Sequence, residues 1–172
     1  MNLKDQIMTN AELLITPPEV GHCDACEQVL RELPEWFGLE DSLMEYVEAA
    51  KSTPTLLAME GENVLGFLMI KRHFPESAEV ACIGLLPSHH RRGIGRLMQG
   101  AAEKWLRADG CKYLQVKTLA EAANSESYAL TRKFYEAMGF SRLEVHPDLW
   151  QKWNPCLVFV KALTPESGAR QE

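Results

Sequence analysis

The stretch His90-Arg91-Arg92-Gly93-Ile94-Gly95-Arg96 joins two segments of different periodicity. Before it, Ala78 to Leu86 is nearly all apolar and stops at Pro87, which predicts a buried central strand. After it, Ile94, Leu97, Met98, Ala101, Ala102, Trp105 and Leu106 recur at helical spacing up to a stop at Gly110. The stretch is therefore the turn of a strand–turn–helix unit. Its two glycines let the backbone turn tightly and approach a ligand, so a side chain at position 95 is expected to enter the ligand's path. The unpaired N–H groups of the helix's first turn face outward at the positive end of its dipole. With Arg91, Arg92 and Arg96 beside them, these groups make a cradle for a pyrophosphate.

Two common cradles fail on particular residues. A Walker loop needs Gly-Lys-Ser/Thr, which the chain lacks. A dinucleotide-binding turn needs a third glycine where Met98 stands, and an acidic residue near Lys112 to Leu114, where there is none.

Outward from the cradle, Ala11 to Thr16 predicts a first strand stopped by Pro17-Pro18. Helices follow over 19–33 and 40–51, then a hairpin of Thr55 to Glu60 and Asn63 to His73 around Gly61-Glu62. Gly84 inside the central strand marks a bulge or a close approach of backbone to ligand. Lys112 to Thr118 predicts a strand, Ser125 to Met138 a helix with Leu130, Phe134, Ala137 and Met138 on one face, and Phe140 to Val145 and Cys156 to Leu163 the last two strands. The fold class expected is a mixed α/β (α+β) sheet flanked by four helices. It forms one domain over 1–163 with a flexible tail over 164–172.

The net charge of −6 excludes a general nucleic-acid binder, which carries a basic field. No apolar run approaches a membrane span, and Met1 to Asn10 has no apolar leader core, so a cytoplasmic protein is expected. Five cysteines without a leader are expected to stay reduced. His22-Cys23-x-x-Cys26 has metal or redox spacing but no second ligand pair, and reads as helix packing.

His90-x-x-Gly93-x-Gly95 in this context resembles the cofactor motif of the GNAT superfamily of N-acetyltransferases, with His90 where Gln or Arg is usual. A second block, Tyr128-Ala-Leu-Thr-Arg-Lys-Phe-Tyr-Glu-Ala-Met-Gly-Phe140, is similar to that superfamily's helix ending in Phe-Tyr-x-x-x-Gly-Phe, with Tyr128 where many members carry Asn. The resemblance covers residues 60 to 163 well. It implies a mostly antiparallel sheet whose two central strands splay around the pantetheine of acetyl-CoA. Backbone groups of Ile83 and Leu85 would hold that arm, and the Ile83 N–H would meet the thioester oxygen as it gains charge.

The same resemblance implies pyrophosphate contacts from His90, Arg91, Arg92, Gly93, Ile94, Gly95 and Arg96, and a cofactor contact at the position of Tyr128. Thr131 and Arg132, on one helix with Tyr128 and Tyr135, are candidates for further cofactor contacts, with a solvated helix face as the competing reading. The resemblance also implies Tyr135 as general acid for the departing thiolate. Glu79, fourteen residues before Gly93, has the offset of the glutamate base in histone-acetylating members. As the lone acid in an apolar strand, it is expected to have a raised pKa. A bland strand-end acid is the competing reading, and water chains serve other members as base.

His73, His89 and His146 have no partners at ligand spacing and are read as loop residues. By the same resemblance Trp36, Phe37 and Leu39, with Trp150 and Trp153, would flank the acceptor, with core closure or a dimer face as the equal alternative. The activity implied is acetyl transfer from acetyl-CoA to an amine without a metal. Another acyl-CoA as donor, or a non-catalytic acyl-CoA sensor on the same fold, is the alternative. Dimers are common among such enzymes, which leaves a homodimer as an expectation by analogy.

Overall fold

In a computed structural model, residues 12–164 are described. Ala11 and the tail beyond Thr164 lie outside them. The elements follow the expected order: β1 (Leu13–Ile15), α1 (Cys23–Arg31), α2 (Glu40–Ala49), β2 (Thr55–Glu60), β3 (Asn63–Phe74), β4 (Ser77–Leu85), α3 (Ile94–Ala108), β5 (Tyr113–Leu119), α4 (Glu126–Ala137), β6 (Ser141–His146) and β7 (Cys156–Ala162). They form one seven-stranded sheet in the order β1-β2-β3-β4-β5-β7-β6. Every neighbouring pair is antiparallel except β4 and β5.

The first helix starts four residues later than its periodicity suggests. Glu19 bridges to Thr55, and Gly21 takes φ +91, so the chain joins the sheet edge before it can turn helical. The sheet separates two cores. Met98, Leu106, Tyr135 and Phe159 lie on the α3 and α4 face, while Val29, Leu30, Leu43 and Phe67 lie under α1 and α2. Cys26, fully buried in the second core, packs as a small hydrophobe.

The buried stripe of α3 differs from the expected one. Leu97 and Trp105 are exposed, whereas Gln99 and Glu103 are buried. Glu103 can be buried because Lys161 Nζ reaches both its oxygens at 2.7 and 2.8 Å, with Arg107 at 2.8 Å and Gln99 Nε2 at 3.1 Å. Its partner Lys161 comes from β7, so no helical period predicts the site.

Candidate active site

The parallel ladder of β4 and β5 runs from Ser77 opposite Tyr113 to Val80 opposite Val116, and there it ends. Beyond it β4 stays on β3 while β5 stays on β7, so the two central strands part. A register shift against β3 leaves Ala81 as the extra residue of a bulge at that point.

The ladder with β3 fixes where the β4 backbone points. Leu86 N–H donates to Leu65 C=O at 2.8 Å, and Gly84 opposite Phe67 is the next bonded pair in that register. Ile83 and Leu85 occupy the alternate positions, so their N–H and C=O groups turn away from β3 into the gap. The expected backbone donors are therefore available there. Gly84 lines the cleft with its backbone, while the side on which a Cβ would stand is turned to α1. A Cβ on it would lie 2.9 Å from Phe67 Cε1 and 3.1 Å from Val29 Cγ1, so its bareness serves the seating of α1 on the sheet.

The turn after β4 builds the cradle. Arg91 (φ 60) and Gly93 (φ 80) are both left-handed, which swings the chain into α3. The first intrahelical bond is Leu97 N–H to Gly93 C=O, leaving Ile94, Gly95 and Arg96 N–H without helical partners. No side chain caps this end, and no acid stands in the first turn. Arg91, Gly93, Gly95 and Arg96 line the cleft.

Ile94 contributes only backbone, since its side chain is 3% exposed in the core, and Arg92 does not line the cleft. Gly95 lines the cleft and also sets the spacing of two helices, since a Cβ there would press on Phe134 of α4 at 3.3 Å. His90, likewise on the cleft wall, has a structural contact as well. Its Nε2 bonds the Leu85 carbonyl at 2.7 Å and its ring meets Trp36 edge-on, so it pins the turn to the end of β4.

Tyr135 reaches the cleft from α4 while 2% exposed, its ring against Phe134, Phe140 and Phe159. No hydrogen bond holds its hydroxyl among the described residues. Burial pushes its phenol far above the usual range, and neighbouring Cys82, Tyr128 and Tyr46 push the same way. It therefore stays a protonated donor.

Glu79 corrects an expectation. Burial pushes its pKa up, but hydrogen bonds from Lys117 Nζ (2.8 Å) and His73 Nε2 (2.7 Å) outweigh that and hold it below its usual value. Gln115 Nε2 is a third partner at 3.2 Å, and Glu79 does not line the cleft. His73 lies in β3 and His146 at the end of β6, not in loops. Arg132, 6% exposed, is turned away from any cofactor: its Nη1 donates to Leu119 C=O at 2.7 Å.

Lys117 and Lys133 line the cleft and were missed. Lys133 directly follows the candidate Arg132 on α4, and the fixed place of Lys117 depends on its ion pair across strands. Leu130, read as core, is 59% exposed at the cleft.

The connection between α1 and α2 closes one side. Trp36 Nε1 donates to Thr131 Oγ1 at 3.1 Å, and Tyr128 Oη donates to Trp36 C=O at 3.0 Å. Beyond this strap lies a second cavity of about 660 Å³, lined by Phe37, Leu39, Tyr46, Trp150 and Trp153 among others. Trp36, Phe37, Tyr46, Tyr128 and Trp150 line both spaces and form the neck between them. The arrangement thus joins an anion cradle, a gap edged by free amides, a protonated phenol and an aromatic chamber.

Among the described residues no group of three or more metal-ligating side chains is assembled, and no helix is long and apolar enough to cross a membrane.

The model of the acetyltransferase (GNAT) family matches residues 23–140. A mycothiol acetyltransferase of Corynebacterium glutamicum (strain ATCC 13032) is 31% identical over 96 residues, which are 56% of this chain and 31% of that protein. The match thus spans about a third of that relative's length. An acetyltransferase structure of the GNAT family from Desulfovibrio desulfuricans superposes with TM-score 0.75 at 19% identity, over 89% of this chain and 100% of that one. An aminoglycoside 6'-N-acetyltransferase complexed with coenzyme A gives 0.70 at 17%, over 90% and 99%. The last two likenesses concern the fold.

Proposed function

This chain belongs to the acetyltransferase (GNAT) family, and from that premise we propose that it carries the acetyl group of acetyl-CoA directly to a primary amine of a small molecule or peptide. The observation that carries the reading is the gap beyond Val80 and Val116. Ile83 and Leu85 backbone groups face into it, with the uncapped start of α3 at one end and the Tyr135 phenol on its wall.

In this reading the N–H groups of Ile94, Gly95 and Arg96 hold the pyrophosphate, with Arg91, Arg96 and Lys133 supplying charge. The Ile83 N–H donates to the thioester oxygen as charge builds there. One such donor contributes about 3–4 kcal/mol to lowering the barrier. A neutral amine arriving through the neck attacks the carbonyl carbon, so a C–N bond forms as the C–S bond breaks. Tyr135 gives its proton to the departing thiolate and recovers one from solvent. The amine's proton leaves through the open acceptor cavity to water, since Glu79 is saturated by Lys117, His73 and Gln115. The five cysteines are all free, which fits a reducing, cytoplasmic setting.

The test is thiol release from acetyl-CoA over an amine panel, with calorimetric binding of acetyl-CoA alongside. Saturable, amine-dependent thiol release is expected. Binding of acetyl-CoA without release for any amine would overturn catalysis, and absence of binding would overturn the cradle as well.

A further inference from the structure

Charge is sorted across the neck. The cofactor cleft is lined by His90, Arg91, Arg96, Lys117 and Lys133 and by no carboxylate. The acceptor cavity is the reverse, with Glu35 and Glu45 as its only charged residues and no Lys, Arg or His on its wall. Neither carboxylate forms an ion pair among the described residues, although Arg31 and Lys51, near them in sequence, do find acidic partners. Two exposed acids without ion-pair partners thus stand on the wall of a chamber that also carries Trp36, Phe37, Tyr46, Tyr128, Trp150 and Trp153.

The place of those acids decides what they attract. The nitrogen that attacks must be neutral, and it must stand at the neck where the two spaces meet. A carboxylate at that point would stabilise the ammonium form and oppose the reaction. Glu35 and Glu45 line only the acceptor cavity and not the cofactor cleft, so the cation they favour is a different group from the attacking nitrogen. Aromatic faces on Trp36, Phe37 and Trp153 suit both a methylene chain and a retained ammonium.

We propose that the acceptor is a small amine bearing a second positive group, of the diamine class, held with its charged end toward Glu35 and Glu45 and its reactive end at the neck. This rests on the N-acetyltransferase reading and adds the substrate class. It also excludes acceptors that carry a carboxylate in place of the second ammonium, because that group would meet two like charges.

The experiment compares 1,3-diaminopropane through 1,6-diaminohexane with n-alkylamines and ω-amino acids of equal length. It reads kcat/KM by thiol release at fixed acetyl-CoA. The best diamine is expected to exceed its monoamine by about tenfold, the sum of two weak exposed charge contacts and one cation–π contact. The ω-amino acid is expected to rank last. In the Glu35→Gln/Glu45→Gln double variant the diamine-to-monoamine ratio should fall toward one.

Calorimetry of 1,4-diaminobutane and n-butylamine against the CoA-loaded protein reads the same preference without turnover. A diamine preference in binding with no turnover of any amine would support the cavity's diamine selectivity while removing the acetyltransferase reading, and with it the role of the diamine as acceptor. Turnover of monoamines with no diamine preference would do the opposite. Equal use of ω-amino acids, or a ratio that survives in the double variant, overturns the assignment.

Discussion

Replacing Tyr135 by Phe removes one oxygen and no protein contact. The ring of Tyr135 packs 5.2 Å from Phe134, 5.4 Å from Phe140 and 6.0 Å from Phe159 between centroids, and phenylalanine keeps all three. Its hydroxyl makes no hydrogen bond among the described residues, so no partner is orphaned when it goes. The folded state should accordingly change by no more than about 0.5 kcal/mol, well under the cost of breaking a satisfied buried hydrogen bond.

Loss of a positioned general acid should nevertheless lower kcat by about 10²- to 10⁴-fold. Affinity for acetyl-CoA should move less than about threefold, because the pyrophosphate and pantetheine contacts lie elsewhere (0.65 kcal/mol at most on the usual conversion, roughly). Urea unfolding, calorimetry with acetyl-CoA and a thiol-release assay report the three quantities on one preparation. The alkaline side of the wild-type profile adds a check. Burial keeps the phenol protonated, so deprotonation of Tyr135 should not cut the rate in the mildly alkaline range. A variant as stable as wild type that turns over within threefold of it would refute the acid assignment.

Three further outcomes follow from the packing. Glu103→Ala leaves Lys161 without its carboxylate partner beneath α3, and should cost about 3 kcal/mol of unfolding free energy in urea titrations; Glu103→Gln should lose less. Gly84→Ala forces a methyl onto Phe67 and Val29 and should cost about 1–3 kcal/mol by the same measurement, with α1 as the element that yields. Glu79 has a folded pKa below its ordinary value of 4.5, so its stabilisation is present above that pH and is lost as pH falls through the lowered value. Glu79→Gln should therefore be less stable than wild type near neutrality, with the gap closing below pH 4.5 in acid-titrated denaturation curves.

The elements that sequence places well are those whose cause is local. The strand–turn–helix at residues 78 to 108 is written in one apolar run, one pair of glycines and one helical period, and each force acts within a few residues. The outward direction of the Ile83 and Leu85 backbone groups follows from the same segment once β3 sets the hydrogen-bonding parity. What escapes is set by partners from other elements. Arg132 shares its helix with Tyr128 and Tyr135, yet a carbonyl at the end of β5 turns it away from the cleft. Gln99 and Glu103 read as the polar side of α3, and Lys161 from β7 makes them interior.

Glu79 shows the limit most plainly. Sequence presents a lone acid among apolar neighbours, and burial alone would raise its pKa toward that of a general base. The sheet brings Lys117 and Gln115 from β5 and His73 from β3 onto one carboxylate, and these bonds reverse the sign of the shift. The reversal has a structural consequence for the cleft. Lys117 is a wall residue where β5 leaves β4, and its ammonium is held by Glu79 just before the strands part. The pair therefore sits at the fork, tying the last paired turns of two strands that diverge immediately afterward. A carboxylate that sequence alone presents as isolated is thus held in an ion pair at the point from which the gap opens.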